Sequence, residues 1–151
     1  MKDLTEDENA ARKGWMSLLA QAPAGDLAAL WADAGLIPDF TWLRRPEVGG
    51  VMVRGRAGAT GAAFNLGEMS VTRCSLRLGD GRVGHAMVQG RDRAKAEVAA
   101  LCDALLQGED GETVEAAILT PLSDARRVRR EERAAKAAAT KVDFFTMVRG
   151  E

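Results

Sequence analysis

The chain is poor in the residues that most chemistry requires. It has one histidine, His85, and two cysteines, Cys74 and Cys102, in separate apolar segments with no Cys-x-x-Cys spacing and no histidine cluster nearby. That leaves no metal or dithiol motif, and both thiols read as reduced core residues. No apolar run approaches the roughly 20 residues of a membrane-spanning helix. The opening Met1-Lys2-Asp3-Leu4-Thr5-Glu6-Asp7-Glu8 is too acidic for a signal peptide, so the expected location is cytoplasmic. An excess of one charge is missing too: 21 Lys and Arg face 22 Asp and Glu, which removes any bulk attraction for nucleic acid.

What is present is the composition of a globular protein, 46% hydrophobic and 28% charged over 151 residues. That length suits one domain, residues 1–151, with residues 1–10 expected to be disordered. The end of the chain is unusual. Chain ends normally lose hydrophobic content, yet Lys141-Val142-Asp143-Phe144-Phe145-Thr146-Met147-Val148-Arg149-Gly150-Glu151 holds two of the four phenylalanines. Such a tail is buried either by the chain's own core or by another chain, because Phe and Met are favoured at the centres of interfaces.

Periodicity and punctuation predict an α+β fold. Thr5 and Glu8 have capping-box spacing, and Trp15, Leu18, Leu19 and Ala22 form the apolar face of a first helix that Pro23 ends. A second helix, residues 26–34, carries Leu27, Leu30 and Trp31 and closes at Gly35, which completes an N-terminal helical hairpin. Strands are expected at residues 40–43 and 51–53, with a turn through Pro46 and Gly49-Gly50. Further strands at 68–78 and 82–89, joined by Gly79-Asp80-Gly81, would complete a four-stranded antiparallel meander packed by helices. Residues 55–67 read as a loop rich in small residues. A third helix starts at Asp92, with Ala94, Val98, Leu101, Cys102, Leu105 and Leu106 on one face and Gly108 as a left-handed cap. Residues 114–119 fit strand or helix, and Thr120-Pro121 opens a long C-terminal helix that leads into the apolar tail.

Candidate chemistry is sparse. The glycines between Gly55 and Gly61 expose amides that suit an anion, but the segment lacks the Gly-Lys-Ser/Thr ending of a nucleotide loop, and a plain connector fits as well. His85 lies on a strand beside Val83 and Met87, either as a sheet residue or as a general base. Arg73, Arg77 and Arg91 either converge at one sheet end to bind an anion or face solvent. Arg126, Arg127, Arg129, Arg130, Arg133 and Lys136 suggest a nucleic-acid helix, but Glu131 and Glu132 and the missing aromatics weaken that reading. Ala134, Ala135, Ala138 and Ala139 would instead let the helix approach a neighbour closely.

These residues add up to a resemblance. Thr72-Arg73, Arg77-Leu78, Asp80-Gly81, Val88-Gln89-Gly90-Arg91-Asp92, Ala96-Glu97, Asp103-Ala104-Leu105-Leu106, Leu119, Pro121-Leu122 and the terminal Lys141-to-Gly150 segment, with Arg12 and Trp15-Met16 near the start, resemble the PhnG family, the G subunit of the carbon-phosphorus lyase system. The resemblance covers nearly the whole chain. It implies a subunit of a core complex of G, H, I and J chains, which with the L subunit supports displacement of adenine from ATP by an alkylphosphonate, giving a ribose 1-phosphonate 5-triphosphate. It implies no cofactor in this chain. ATP is a substrate of the complex, and the iron-sulfur cluster and S-adenosylmethionine belong to the J subunit. Two unclustered cysteines do not suffice for such a cluster, which takes about four cysteine ligands. The implied partner interface comprises Arg91, Asp92, Val142, Phe144, Phe145, Met147, Val148 and Arg149, with neither nucleic acid nor membrane as partner. Arg73, Arg77 and Arg91 are the candidate contacts to phosphonate or triphosphate.

Overall fold

The structure, a computed structural model, describes residues 6–142. Helices α1 (Glu6–Gln21) and α2 (Ala24–Ala34) precede strands β1 (Phe40–Arg56), β2 (Ala63–Leu78) and β3 (Val83–Gln89). Then come α3 (Arg93–Leu106), the short α4 (Gly111–Val114), a π turn (Glu115–Leu119) and α5 (Thr120–Ala139). The strands form one antiparallel sheet in the order β1-β2-β3.

The core lies on one face of that sheet. Cys74, Leu76 and Leu78 of β2 and Ala86 and Val88 of β3 point at α3, which contributes Ala96, Ala99, Ala100, Leu101, Cys102, Ala104 and Leu105. The small residues of α3 bring its backbone close to β3. Gly84 is the contact point: a Cβ there would lie 2.9 Å from the Cβ of Ala104 and would collide with the Ala100 carbonyl. Leu18 and Leu19 of α1, Leu27 of α2, and Val114, Ile118 and Leu122 of the C-terminal helices close the other side of α3. The expected apolar face of α3 is therefore rotated: Ala94 is exposed and Val98 half-buried. α1 packs on α3 and β3, and α2 on α3 and the π turn, so each N-terminal helix leans chiefly on other elements. Gly35 closes α2 as expected, with φ +63° in the left-handed region that glycine enters without a Cβ clash.

The sheet has three strands, not four. The segment expected as strand, turn and strand is one continuous strand, β1, paired along β2 from Phe40–Leu78 to Arg56–Ala63. Pro46 is tolerated because β1 is an edge strand, and register shifts between Trp42 and Arg44 and between Arg44 and Glu47 absorb the missing donor. Gly49 and Gly50 stay outside the positive-φ region, so they make no turn. Most of the expected loop 55–67 is likewise strand, and the real turn is the short helical one at Ala57–Ala59.

Gly108 is not a left-handed cap. α3 ends at Gln107 in ordinary helical geometry, and the place of a Gly108 side chain is taken by the Arg82 guanidinium. The ambiguous residues 114–119 are helical, so α4, the π turn and α5 run on continuously. Pro121, which has no N–H to donate, follows the wide π turn, where the hydrogen-bond ladder has already changed register. Residues 131–142 are all exposed, so within the described residues Ala134, Ala135, Ala138 and Ala139 meet no neighbour. Of the apolar tail, Lys141 and Val142 are described and exposed. Thr5, Phe144, Phe145, Met147, Val148 and Arg149 lie outside the described residues.

Candidate functional site

The strongest polar feature is a fully buried carboxylate on the core face of α3. Asp103 Oδ1 accepts from Arg12 Nε (3.1 Å) and Trp15 Nε1 (2.8 Å), and Oδ2 accepts from Arg12 Nη2 (2.9 Å) and the backbone N–H of His85 (2.9 Å). A buried carboxylate is tolerated only when paired and saturated with donors, and the two-pronged guanidinium contact is the geometry that does this best. The contact ties α1, α3 and β3 together. Sequence reasoning quoted Arg12, Trp15 and Asp103 separately and did not join them. The available signal was an acid on the same helical face as Ala96, Ala99 and Ala100, which demands a cation.

A second cationic clamp closes the far end of α3. Arg82 Nε donates to Asp80 Oδ2 at 2.7 Å and its Nη1 to the Leu105 carbonyl at 3.2 Å, while Nη2 reaches Asp110 at 3.5 Å. The β2–β3 turn is thus fastened to the last turn of α3, whose free carbonyls favour a cation. Backbone and side-chain hydrogen bonds from Arg82 hold the Asp80 carboxyl below the usual range. Between these clamps, Arg12, Trp15, Asp80, Arg82, Val83 and Gln107 line an open cleft of about 770 Å³.

The opposite face of the sheet points away from α3, and α1 passes beside His85 and Met87 at its β3 edge. Alternation places Arg73, Ser75 and Arg77 of β2 on this face with Val83, His85 and Met87 of β3, and Glu47 and Arg44 of β1 register opposite Arg73 and Ser75. Ser75 Oγ and His85 Nδ1 are 2.8 Å apart. Arg73 Nε lies 3.7 Å from Glu47, with both side chains more than half exposed, a pair that contributes little. Arg73 and Arg77 therefore share a face, four residues apart along β2. Arg91 does not join them: it follows Gly90, whose N–H binds the Ser70 carbonyl at the other end of β2, roughly 23 Å from Arg77 at strand rise.

Asp92 occupies the start of α3. Its Oδ1 accepts from Lys95 N at 2.9 Å, so the helix start is capped from within the chain. Lys95 Nζ in turn donates to the Ala20 carbonyl at 2.9 Å, supplying the cation that the last turn of α1 lacks. Partial burial lowers its pKa, and Asp92 opposes that shift. The glycine turn is closed on itself, with Gly61 N donating to Ala57 O and Arg56 Nη1 to Gly61 O, both at 3.0 Å. In α5, Arg127 pairs with Asp124 at 3.5 Å and Arg129 approaches Asp26 at 4.0 Å. Burial, with Glu97 adding, pushes the Cys74 thiol up to about 11, and burial, with Asp103 adding, pushes Cys102 up to about 12. Among the described residues no three His, Cys, Asp or Glu side chains gather as a metal site, and no helix is long and apolar enough to cross a membrane.

Comparison with known proteins decides the family. Residues 10–150 match the family described as phosphonate metabolism protein PhnG. The chain belongs to the PhnG family. A relative from Rhizobium meliloti (strain 1021), named alpha-D-ribose 1-methylphosphonate 5-triphosphate synthase subunit PhnG, is 42% identical over 142 residues, covering 94% of this chain and 91% of the relative. The match takes in the Arg12, Trp15 and Asp103 contact, the Asp92 cap and the tail alike.

Proposed function

We propose that this chain is the G subunit of an alpha-D-ribose 1-methylphosphonate 5-triphosphate synthase complex. In that complex it supports formation of the product from ATP and methylphosphonate, with release of adenine. The observation that carries this is the 42% identity across 94% of the chain to a protein named as that subunit. Its partners are the H, I and J subunits of the core, with the L subunit acting alongside, and its compartment is the cytoplasm. The role is structural or accessory, and the iron-sulfur cluster and S-adenosylmethionine belong to a partner. The tail residues Val142, Phe144, Phe145, Met147, Val148 and Arg149, together with Arg91, contact partner chains. Co-expression with an affinity-tagged I subunit and the remaining core subunits tests this. Co-elution with adenine release by the assembly is expected, and a chain that never co-purifies refutes it.

One observation favours a second reading. Arg73 and Arg77 stand on the sheet face away from α3, beside the Ser75–His85 pair, where a partner's surface would complete an anion site for phosphonate or triphosphate. Alanine at both arginines would then lower adenine release by the assembled complex while leaving assembly intact.

A further inference from the structure

β3 ends at Gln89, opposite Val71, and from there β1 and β2 run on alone. Residues 50–56 and 63–70 form a two-stranded arm roughly 23 Å long at strand rise. An isolated two-stranded ribbon is marginal in water, and an edge without a neighbour offers unpaired backbone groups. This arm nevertheless exposes apolar side chains: Leu66 is 62% exposed, Met52 53%, Phe64 46% and Val53 37%.

The pairing sorts them. Val51–Met69 and Val53–Gly67 lie on the same side of the ribbon as Gly49–Val71, the side of the sheet away from α3, where Val71 is buried and exposure rises toward the tip. The register shift after Val53 leaves Leu66 as the extra residue, and Phe64 then pairs with Gly55. Leu66 lies over Gly55, where a Cβ would be only 2.5 Å from its Cδ1. The result is a continuous apolar strip of Met69, Val51, Val53, Leu66 and Phe64 on one face of a projecting arm.

We infer that this strip is a docking surface for a partner subunit presenting an apolar patch rimmed by carboxylates. The inference rests on the subunit reading above and adds where and how the partner binds. The charge argues for that partner chemistry. Residues 40–78 carry six arginines (Arg44, Arg45, Arg54, Arg56, Arg73, Arg77) and two acids, Glu47 and Glu68, in a chain whose formal net charge is −1. A second copy would set this positive excess against itself, whereas an acid-rimmed partner complements it. Arg54 and Arg56 alternate with Val53 and Gly55 along β1, so they put positive charge on the other face of the arm's tip, within reach of a partner that wraps the arm.

The test uses the full chain co-expressed with tagged I subunit and the rest of the core, comparing wild type, Phe64→Ser with Leu66→Ser, and Arg54→Glu with Arg56→Glu. The serine variant is expected to lose about tenfold or more in affinity for the assembly, as removal of apolar anchors does, while the melting temperature of the isolated chain stays unchanged. The charge-reversed variant is expected to bind more weakly, with less sensitivity to salt. Assembly of the serine variant at wild-type affinity overturns the docking surface and leaves the subunit reading standing. A wild-type chain that does not assemble overturns both. A homodimer of the chain alone that the serine variant dissolves makes the occupant a second copy and overturns the partner assigned here.

Discussion

Replacing Asp103 by Asn probes the contact on which the body is assembled. The carboxylate receives four donors, two on each oxygen. An amide has one acceptor oxygen, so its NH2 group must face two of those donors and at least two bonds are lost. Bonds to a charged group contribute about 1.5–3 kcal/mol each. The Arg12 side chain is 23% exposed and regains some hydration, which brings the expected loss to about 3 kcal/mol. For a chain of this size that is a fall in melting temperature of about 6–12 °C. The assay is urea and thermal unfolding of Asp103→Asn, Arg12→Gln and the double variant. Because Arg12 and Asp103 share one contact, the double variant should lose less than the sum of the singles by more than about 1 kcal/mol. A loss below about 1 kcal/mol for Asp103→Asn, or strict additivity, would refute the idea that this pair holds α1 to the sheet.

Three further outcomes are expected. Asp92→Ala removes the cap on Lys95 N and should cost about 1 kcal/mol in melts, whereas Arg91→Ala should leave the melt unchanged and weaken assembly or adenine release by the complex; the reverse pattern makes Arg91 structural. Both thiol pKa values are raised in the folded chain, so the stability they contribute is complete below the unfolded thiol value near 9 and is lost as pH rises toward 11 and 12. Urea midpoints should accordingly fall between pH 8 and pH 10.5 and fall less in Cys74→Ala with Cys102→Ala, and an identical pH slope in both proteins counts against buried thiols. Deleting residues 142–151 should leave the far-ultraviolet spectrum and melt of the chain intact while abolishing co-purification with partner subunits; a truncated chain that still assembles removes the tail from the interface.

How much of this was legible in the sequence depended on whether the deciding neighbour was near in the chain. The Asp92 cap, the Gly35 stop, the Gly79-Asp80-Gly81 turn and the buried face of β2 follow from spacing within a few residues, and all stand in the structure. Pro46 and Gly49-Gly50 misled because their local preference is for a turn. The long partner strand β2 held them extended, and the edge position removed the need for a proline donor. Gly108 misled for a similar reason: its role is to make room for Arg82, 26 positions earlier in the chain. Asp103 is the sharpest case. Its partners lie 91, 88 and 18 residues away, so local patterning shows only an acid in an apolar stretch. Of the three arginines whose convergence was one of two readings, Arg91 stands apart from Arg73 and Arg77, because a strand keeps its ends apart.

The layering itself argues for a life within an assembly. α3 packs on one side of the sheet, and the other face bears Arg73, Arg77, Ser75 and His85 and runs on into an apolar arm. Antiparallel sheets commonly keep one face in water, but that face is then polar along its length. Here it carries Val83 and Met87 among the arginines and continues past the end of β3 into apolar residues, and the half of α5 after Arg130 likewise projects with its alanines uncovered. A free-standing domain gains nothing from either extension, since each leaves backbone edges or methyl groups in water. Both make physical sense when other chains cover them, which connects the family assignment to particular surfaces of this molecule.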